Sequence, residues 1–186
     1  SRGEALSAVV QALPPLVLTG GPRLAQSCAP VDPAEISTPD FQAKLRLLLL
    51  GLKHHCANGI AAPQLGWFQR FLLMRDPSTR SLVTWVNPVV SATSEERLWT
   101  WEGCLSVPDL RGQVRRHCEV EVRAMDRDGN EISTVVKGMT AATYQHEVDH
   151  LDGKLFLDRI EDPTSIVTLE NFQRYHLDKV AKDVSA

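Results

Sequence analysis

The segment His146-Glu147-Val148-Asp149-His150 is where residue type and spacing first point to chemistry. In a helix, positions i and i+4 share a face, so both imidazoles can grip one metal ion while Glu147 stands beside it as a base. From the chain's own usage of histidine and glutamate, the chance of such a match is roughly 1%, so it is weighed as a site. The plainer reading is two surface histidines on a polar helix. Against it stand Met139, Ala142 and Thr143, one or two turns earlier, which turn the histidine face inward. Buried imidazoles need partners, and one metal satisfies both rings.

Two ligands do not hold a catalytic metal; three protein ligands and an open position do. Three residues compete for the third place. The metalloprotease pattern HExxHxxGxxH fits through Gly153 but ends on Phe156, which cannot ligate. A second protease pattern, with a glutamate about twenty residues after the second histidine, is met by Glu170, and an endopeptidase reading stays open. The third candidate is Cys104, in Trp101-Glu102-Gly103-Cys104-Leu105-Ser106. A thiolate with two imidazoles suits zinc, iron(II), cobalt or nickel. A purely structural zinc site normally closes with four protein ligands, and no fourth cysteine or histidine stands near enough to be the obvious partner. A metal-free interaction domain is weaker still.

The elements that must position these groups follow from pattern. Thr38 is placed to cap a helix with Pro39 at its first position, and Phe41, Leu45, Leu48, Leu49 and Leu52 give it one apolar face, fading near Cys56 to Asn58. Gly59-Ile60-Ala61-Ala62-Pro63-Gln64-Leu65-Gly66 reads as a turn. Strands are expected at Phe68 to Met74, Leu82 to Asn87, Arg97 to Trp101 and Glu119 to Ala124, the last with clean period-two alternation. Asp126 to Asn130 is a hairpin turn and Ile132 to Val136 its return strand. A second helix is expected from Met139 to Asp152, stopped by Gly153, and a third from Pro163 to Lys182. The fold class is α+β, antiparallel β-sheets packed around a central HExxH helix. Trp85, Trp99 and Trp101 read as core, with Trp101 also adjoining the candidate site, and Cys28, Cys56 and Cys118 read as packing residues.

Composition bounds the rest. The chain has 186 residues, 43% hydrophobic and 23% charged, which suits one domain with a sizeable core and excludes wholesale disorder. Residues 1–15 read as an N-terminal extension and 163–186 as a C-terminal tail. A net charge of -3 disfavours a nucleic-acid binder, and the apolar run Leu47 to Leu52 is too short to span a bilayer. Four cysteines without a CxxC pair point to a reducing compartment. Ser1 to Pro15 resembles neither a signal nor a transit peptide, although the chain starts at Ser1 and a removed segment would be invisible.

Together, Gly59-Ile60-Ala61-Ala62-Pro63-Gln64, Glu102-Gly103-Cys104-Leu105-Ser106 and the HEVDH segment resemble the three motifs of peptide deformylases, in the family's order. The step of 38 residues from Gln64 to Glu102 is similar to that of the compact subtype. The resemblance runs from about Leu16 to Ile160, including Gly21-Pro22-Arg23-Leu24 and Leu155-Phe156-Leu157-Asp158-Arg159.

The resemblance implies Cys104, His146 and His150 as metal ligands and Glu147 as catalytic acid/base. It implies the Gln64 side chain and the Leu105 backbone N–H as donors to the oxyanion, and Gly59 as a backbone contact to substrate. Asn58 would wall the methionine pocket, with Trp101, which adjoins the site, as a second candidate for that wall. Glu102 and Arg111 are grouped with the substrate-binding residues, Arg111 meeting the peptide's later backbone, and Arg116 is expected to pair with Asp149 or Glu102. One departure is visible: Ala57 stands where the family usually has glycine, which stiffens the turn and reshapes the pocket wall. The implied cofactor is iron(II), with zinc, nickel or cobalt as substitutes. The implied substrates are N-formylmethionyl peptides and nascent chains, with transient ribosome contact, no membrane and no sequence-specific nucleic acid. The implied compartment is the bacterial cytoplasm, or a mitochondrion or plastid if a transit segment was cropped.

Overall fold

Helix α1 (Pro39–His54) begins where the sequence places it, the Thr38 side chain accepting a hydrogen bond from the Phe41 N–H at 3.3 Å with Pro39 in the first turn. In this computed structural model residues 13–76, 79–178 and 180 are described. Most of the N-terminal extension (1–12) and the end of the C-terminal tail (181–186) lie outside the described residues.

Eight strands are found among the described residues. They are β1 (Gly59–Ala61), β2 (Phe71–Arg75), β3 (Leu82–Ala92), β4 (Arg97–Cys104), β5 (Val107–His117), β6 (Glu119–Met125), β7 (Glu131–Lys137) and β8 (Val167–Thr168). Two further helices are α2 (Gly138–Leu151) and α3 (Leu169–Tyr175). Five strands form an antiparallel sheet in the order β1-β2-β3-β6-β7, and β4-β5-β8 form a second.

The first sheet is covered on both faces at β1 and β2, and β2 shows why. Phe71, Leu72, Leu73 and Met74 are all buried, because alternate side chains face opposite ways. Phe71 and Leu73 join the cluster made with Phe41, Leu45, Leu48 and Leu52 of α1. Leu72 and Met74 join Ala141, Tyr144, Val148 and Leu151 of α2. With that stripe spent on the first sheet, the helical period turns His146, Asp149 and His150 toward β4 and β5. The HExxH helix thus lies between the two sheets, as the α+β reading requires.

Four expectations change. The motif around Gly59 is more than a turn: it contains strand β1 and a turn of 3-10 helix at Ala62–Leu65. Strand β5 has no apolar alternation to announce it. Its buried positions Gly112, Val114 and Arg116 include a glycine and an arginine, while Pro108 and Asp109 read as loop. The third helix starts later than expected; Pro163–Ser165 is a 3-10 turn capped by Asp162, and Val167–Thr168 pair with β5 before α3 starts. Trp85 is core, but Trp99 is 53% exposed, with the Arg115 guanidinium lying over its ring, and Cys56 just past α1 is exposed.

The end of α2 fixes the histidines in space. The Gly153 N–H bonds the His150 carbonyl and the Lys154 N–H bonds that of Asp149, a Schellman closure with Gly153 at φ 71°. Beside it, the Cys28 N–H donates to the Leu151 carbonyl at 2.8 Å. A Cβ at Gly153 would lie 2.6 Å from the Gln26 backbone, whereas one at Gly138, also at positive φ, would meet nothing within 4 Å. Gly138→Ala should therefore cost only the conformational strain, about 1 kcal/mol, and Gly153→Ala at least about 2 kcal/mol more. Urea unfolding of the two variants checks this, and equal losses would mean that docking against residues 25–28 contributes nothing.

Candidate active site

Cys104 ends β4 and faces the two histidines of α2. The donor atoms of Cys104, His146 and His150 lie within 4.8 Å of one another, with Cys104 Sγ 3.2 Å from His150 Nε2. A tetrahedral ion with bonds of about 2.0–2.3 Å requires donors roughly 3.3–3.6 Å apart, so spacing and donor chemistry fit one metal. No other group of three or more His, Cys, Asp or Glu donors converges among the described residues. Glu170 is exposed in the first turn of α3 and outside this group, which removes the basis of the endopeptidase reading. Phe156 is buried against Val107 and Val114.

A buried ionic network orients the site. Glu102 accepts from Arg116 Nε at 2.8 Å through Oε1, and from Arg116 Nη2 at 2.9 Å and His146 Nδ1 at 2.8 Å through Oε2. Both its oxygens have protein partners, so Glu102 holds the His146 ring, and it also lines the cavity where substrate contact is expected of it. With Nδ1–H donating there, Nε2 keeps its lone pair for a metal. Arg116 pairs with both expected carboxylates, its Nη1 donating to Asp149 Oδ2 at 2.5 Å. Asp149 also accepts from Arg159 Nη2 at 2.6 Å, a contact the sequence reading missed because only the fold brings Arg159 back to α2. Burial opposes charge on Glu102, but the hydrogen bonds from Arg116 and His146 outweigh it and hold the carboxyl below its usual range.

Glu147 is different. Burial pushes its carboxyl up to about 7, and Oε2 is buried without a hydrogen-bond partner among the described residues. Gly59 makes room for it, since a Cβ there would lie 2.7 Å from Glu147 Oε1. Burial, reinforced by the neighbouring His146, holds His150 well below the usual imidazole range, in the neutral form that can ligate.

Gln64 is 2% exposed rather than a solvated loop amide. Its Oε1 accepts from the Ala61 N–H at 2.9 Å, and its Nε2 donates to Cys104 Sγ at 3.6 Å and to Ser106 Oγ at 3.3 Å. The Ser106 N–H donates to the same sulfur at 3.4 Å, a further contact the sequence reading did not single out. Two N–H groups thus converge on the Cys104 sulfur.

A cavity of about 550 Å³ opens over these groups, lined among others by Asn58, Gly59, Gln64, Leu105, Arg111 and Glu147. Asn58 is exposed at its rim, while Ala57 is half-buried and packs against the α1 core. The Arg111 guanidinium lies so close over Gly103 that any Cβ there would strike it.

An antiparallel α+β fold with an HExxH helix between its sheets, and a cysteine donor beside that helix, defines a metal-dependent hydrolase. Residues 14–165 match the family model of polypeptide deformylase, and the chain belongs to that family. It is 36% identical to peptide deformylase 2 of Nostoc sp. over 167 residues, 86% of this chain and 92% of that protein. It is 32% identical over 176 residues to a chloroplastic/mitochondrial peptide deformylase 1A of Arabidopsis thaliana, covering 86% of this chain and 65% of that one. Its fold matches the actinonin-bound class I type b peptide deformylase of Acinetobacter baumannii with a TM-score of 0.74 at 35% identity, over 80% of this chain and 99% of that one.

Removing Arg116 would leave two buried carboxylates with one partner each, Glu102 with His146 and Asp149 with Arg159. Arg116→Leu should destabilise the metal-free protein by about 3–5 kcal/mol in denaturant unfolding. Arg123→Leu, which loses an exposed pair with Glu121, should leave the stability essentially unchanged. Similar losses for both would show that the buried network does not hold the site together.

Proposed function

We propose that the protein hydrolyses the N-terminal formyl group from formyl-methionyl polypeptides, releasing formate, with Cys104, His146 and His150 as metal ligands. One observation carries this reading: a cysteine from the EGCLS segment meets both HExxH histidines in one buried cluster, beside a carboxylate with a free oxygen. Family membership supports it, as does the likeness to a deformylase bound to Met-Ala-Ser. We assign the catalytic unit to one domain over residues 1–186. We take iron(II) as the resident metal, with zinc, nickel or cobalt as substitutes, in keeping with a thiolate and two imidazoles.

A divalent metal, when bound, supplies Lewis acidity that makes water acidic near neutral pH and polarises the carbonyl under attack. The chain's own groups do the rest. Glu147 takes the proton of the attacking water on its free oxygen and returns it to the departing methionine amine, one carboxylate serving both transfers. Gln64, anchored through Oε1, offers its Nε2–H to the oxygen on which charge grows, together with the Leu105 backbone N–H; one such donor is worth about 10²–10³ in turnover. Gly59, whose side-chain space the Glu147 carboxylate fills, offers its backbone to the substrate. Asn58 borders the methionine side chain and Arg111 the later peptide backbone.

The macromolecular substrates in this reading are nascent polypeptides, met during transient contact with the ribosome. No helix among the described residues is long and apolar enough to cross a membrane. We place the protein in the bacterial cytoplasm, with an organelle as the alternative suggested by the plant relative's name.

Two measurements test the assignment. Cys104→Ala should lose both bound metal and formate release from formyl-Met-Ala, while Glu170→Ala keeps both; the reverse would restore the endopeptidase reading. Glu147→Gln should retain the metal by elemental analysis yet lose turnover by at least about 10³, since base and proton donor vanish together. Loss of the metal in that variant would move Glu147 into the coordination sphere.

A further inference from the structure

The segment expected to be a tail lies against the cavity. Strand β8 pairs with β5 through Leu110↔Thr168 and Arg111↔Val167, and the Gln113 N–H donates to Ser165 Oγ at 3.3 Å. Thr168 then caps α3, its side chain accepting from the Asn171 N–H at 3.2 Å. The first residue of α3, Leu169, lines the cavity.

From α3, Phe172 meets the ring of Trp101 at a centroid distance of 5.2 Å. His176, just past the helix, meets it at 4.7 Å. The two also stack on one another at 6.4 Å, so Trp101 is held by a pair of rings. Trp101 itself lines the cavity. Trp99, two residues earlier on the same face of β4, has no such cover and is 53% exposed. The difference between a fixed wall and a surface ring is α3.

Position within the cavity says which part of a peptide this wall meets. Cys104 and Glu147, which line the cavity where a formyl group must react, are buried and mark its inner end, whereas Trp101 and Leu169, also on its lining, are only half-buried. A chain whose first residue reaches the inner end leaves past Trp101, Leu169 and Arg111.

We infer that Ser165–His176 belong to the substrate-binding apparatus: Phe172 and His176 clamp Trp101, and its indole with Leu169 forms an apolar wall that selects apolar or aromatic side chains after the formylmethionine. This rests on the deformylase reading above. Phe172 and His176 act through Trp101 and are positioning residues; Trp101 and Leu169 touch the peptide.

The test is the ratio of kcat/KM for formyl-Met-Phe-Phe over formyl-Met-Gly-Gly, measured on the metal-loaded full chain and its variants, with melting temperature and metal content followed on each sample. Trp101→Ala, Phe172→Ala and His176→Ala should each lower that ratio by roughly three- to tenfold, the scale of one lost aromatic contact. The loss should reside in KM for the Phe peptide. His176→Ala, at a turn after the helix, keeps the inference testable if Phe172→Ala fails to fold, and Trp101→Phe should recover most of the ratio. Trp99→Ala, outside the wall, should leave it unchanged. An unaltered ratio in the Trp101 and His176 variants overturns the inference, as does an equal fall in Trp99→Ala. Formate release with an unaltered ratio sinks this inference alone. No formate from any peptide with the unsubstituted protein sinks the deformylase reading with it.

Discussion

The guanidinium of Arg116, 4% exposed and shared between Glu102 and Asp149, is the interaction on which the rest of the site depends. A cation removed from water costs several kcal/mol, and only close, fully bonded carboxylates offset it. Glu102 comes from β4, Arg116 from β5 and Asp149 from α2, so the three can be satisfied only when the second sheet is seated on the helix. Arg159 adds a second cation to Asp149, so two acids and two bases balance. An apolar core of the same volume could be as stable; what the ionic network adds is direction. Glu102, fixed by Arg116, fixes in turn the His146 ring and its tautomer.

Around that frame the site is built by close approach. The Glu147 carboxylate lies where a side chain at residue 59 would be, and the Arg111 guanidinium where one at residue 103 would be. The two motif glycines are therefore spaces that other residues occupy, and neither is required for an unusual φ. The Cys104 sulfur is surrounded in the same economical way, receiving N–H groups from Ser106 and Gln64 while His150 Nε2 stands opposite. Gln64 can serve because its other end is tied to Ala61, so its amide has one orientation. A donor held this way needs little reorganisation when charge develops beside it.

The second sheet divides into a covered part and a bare part, and the division falls at Trp101. Its inner residues Thr100, Glu102, Val114 and Arg116 are buried. On its outer face α3 covers Trp101, whereas Trp99 has only the Arg115 guanidinium, 5.4 Å from its ring. The same strand thus contributes the cysteine of the donor cluster at its end, a cavity wall and an exposed aromatic beyond.

The chemistry of the site was legible in the chain because its signals are local. His146, Glu147 and His150 are one helical turn apart, Thr38 and Pro39 mark a helix start, and Gly153 marks a helix end, each through short-range backbone geometry. Cys104 needed the three motifs taken together, since nothing local ties position 104 to position 146. Strand β5 was hidden because a glycine and an arginine occupy buried positions where alternation would need apolar residues, and those two are buried only because Phe156, Ile160, Glu102 and Asp149 arrive from elsewhere. The commitment of Glu102, the burial of Gln64, the Arg159 contact and the cover of α3 over Trp101 are likewise long-range contacts between side chains that local patterns do not register. The sequence by itself determined which groups react and the helix that spaces two of them. Only the tertiary structure decided which carboxylate stays free and which is tied down, because that depends on which charges share a space once water has been excluded.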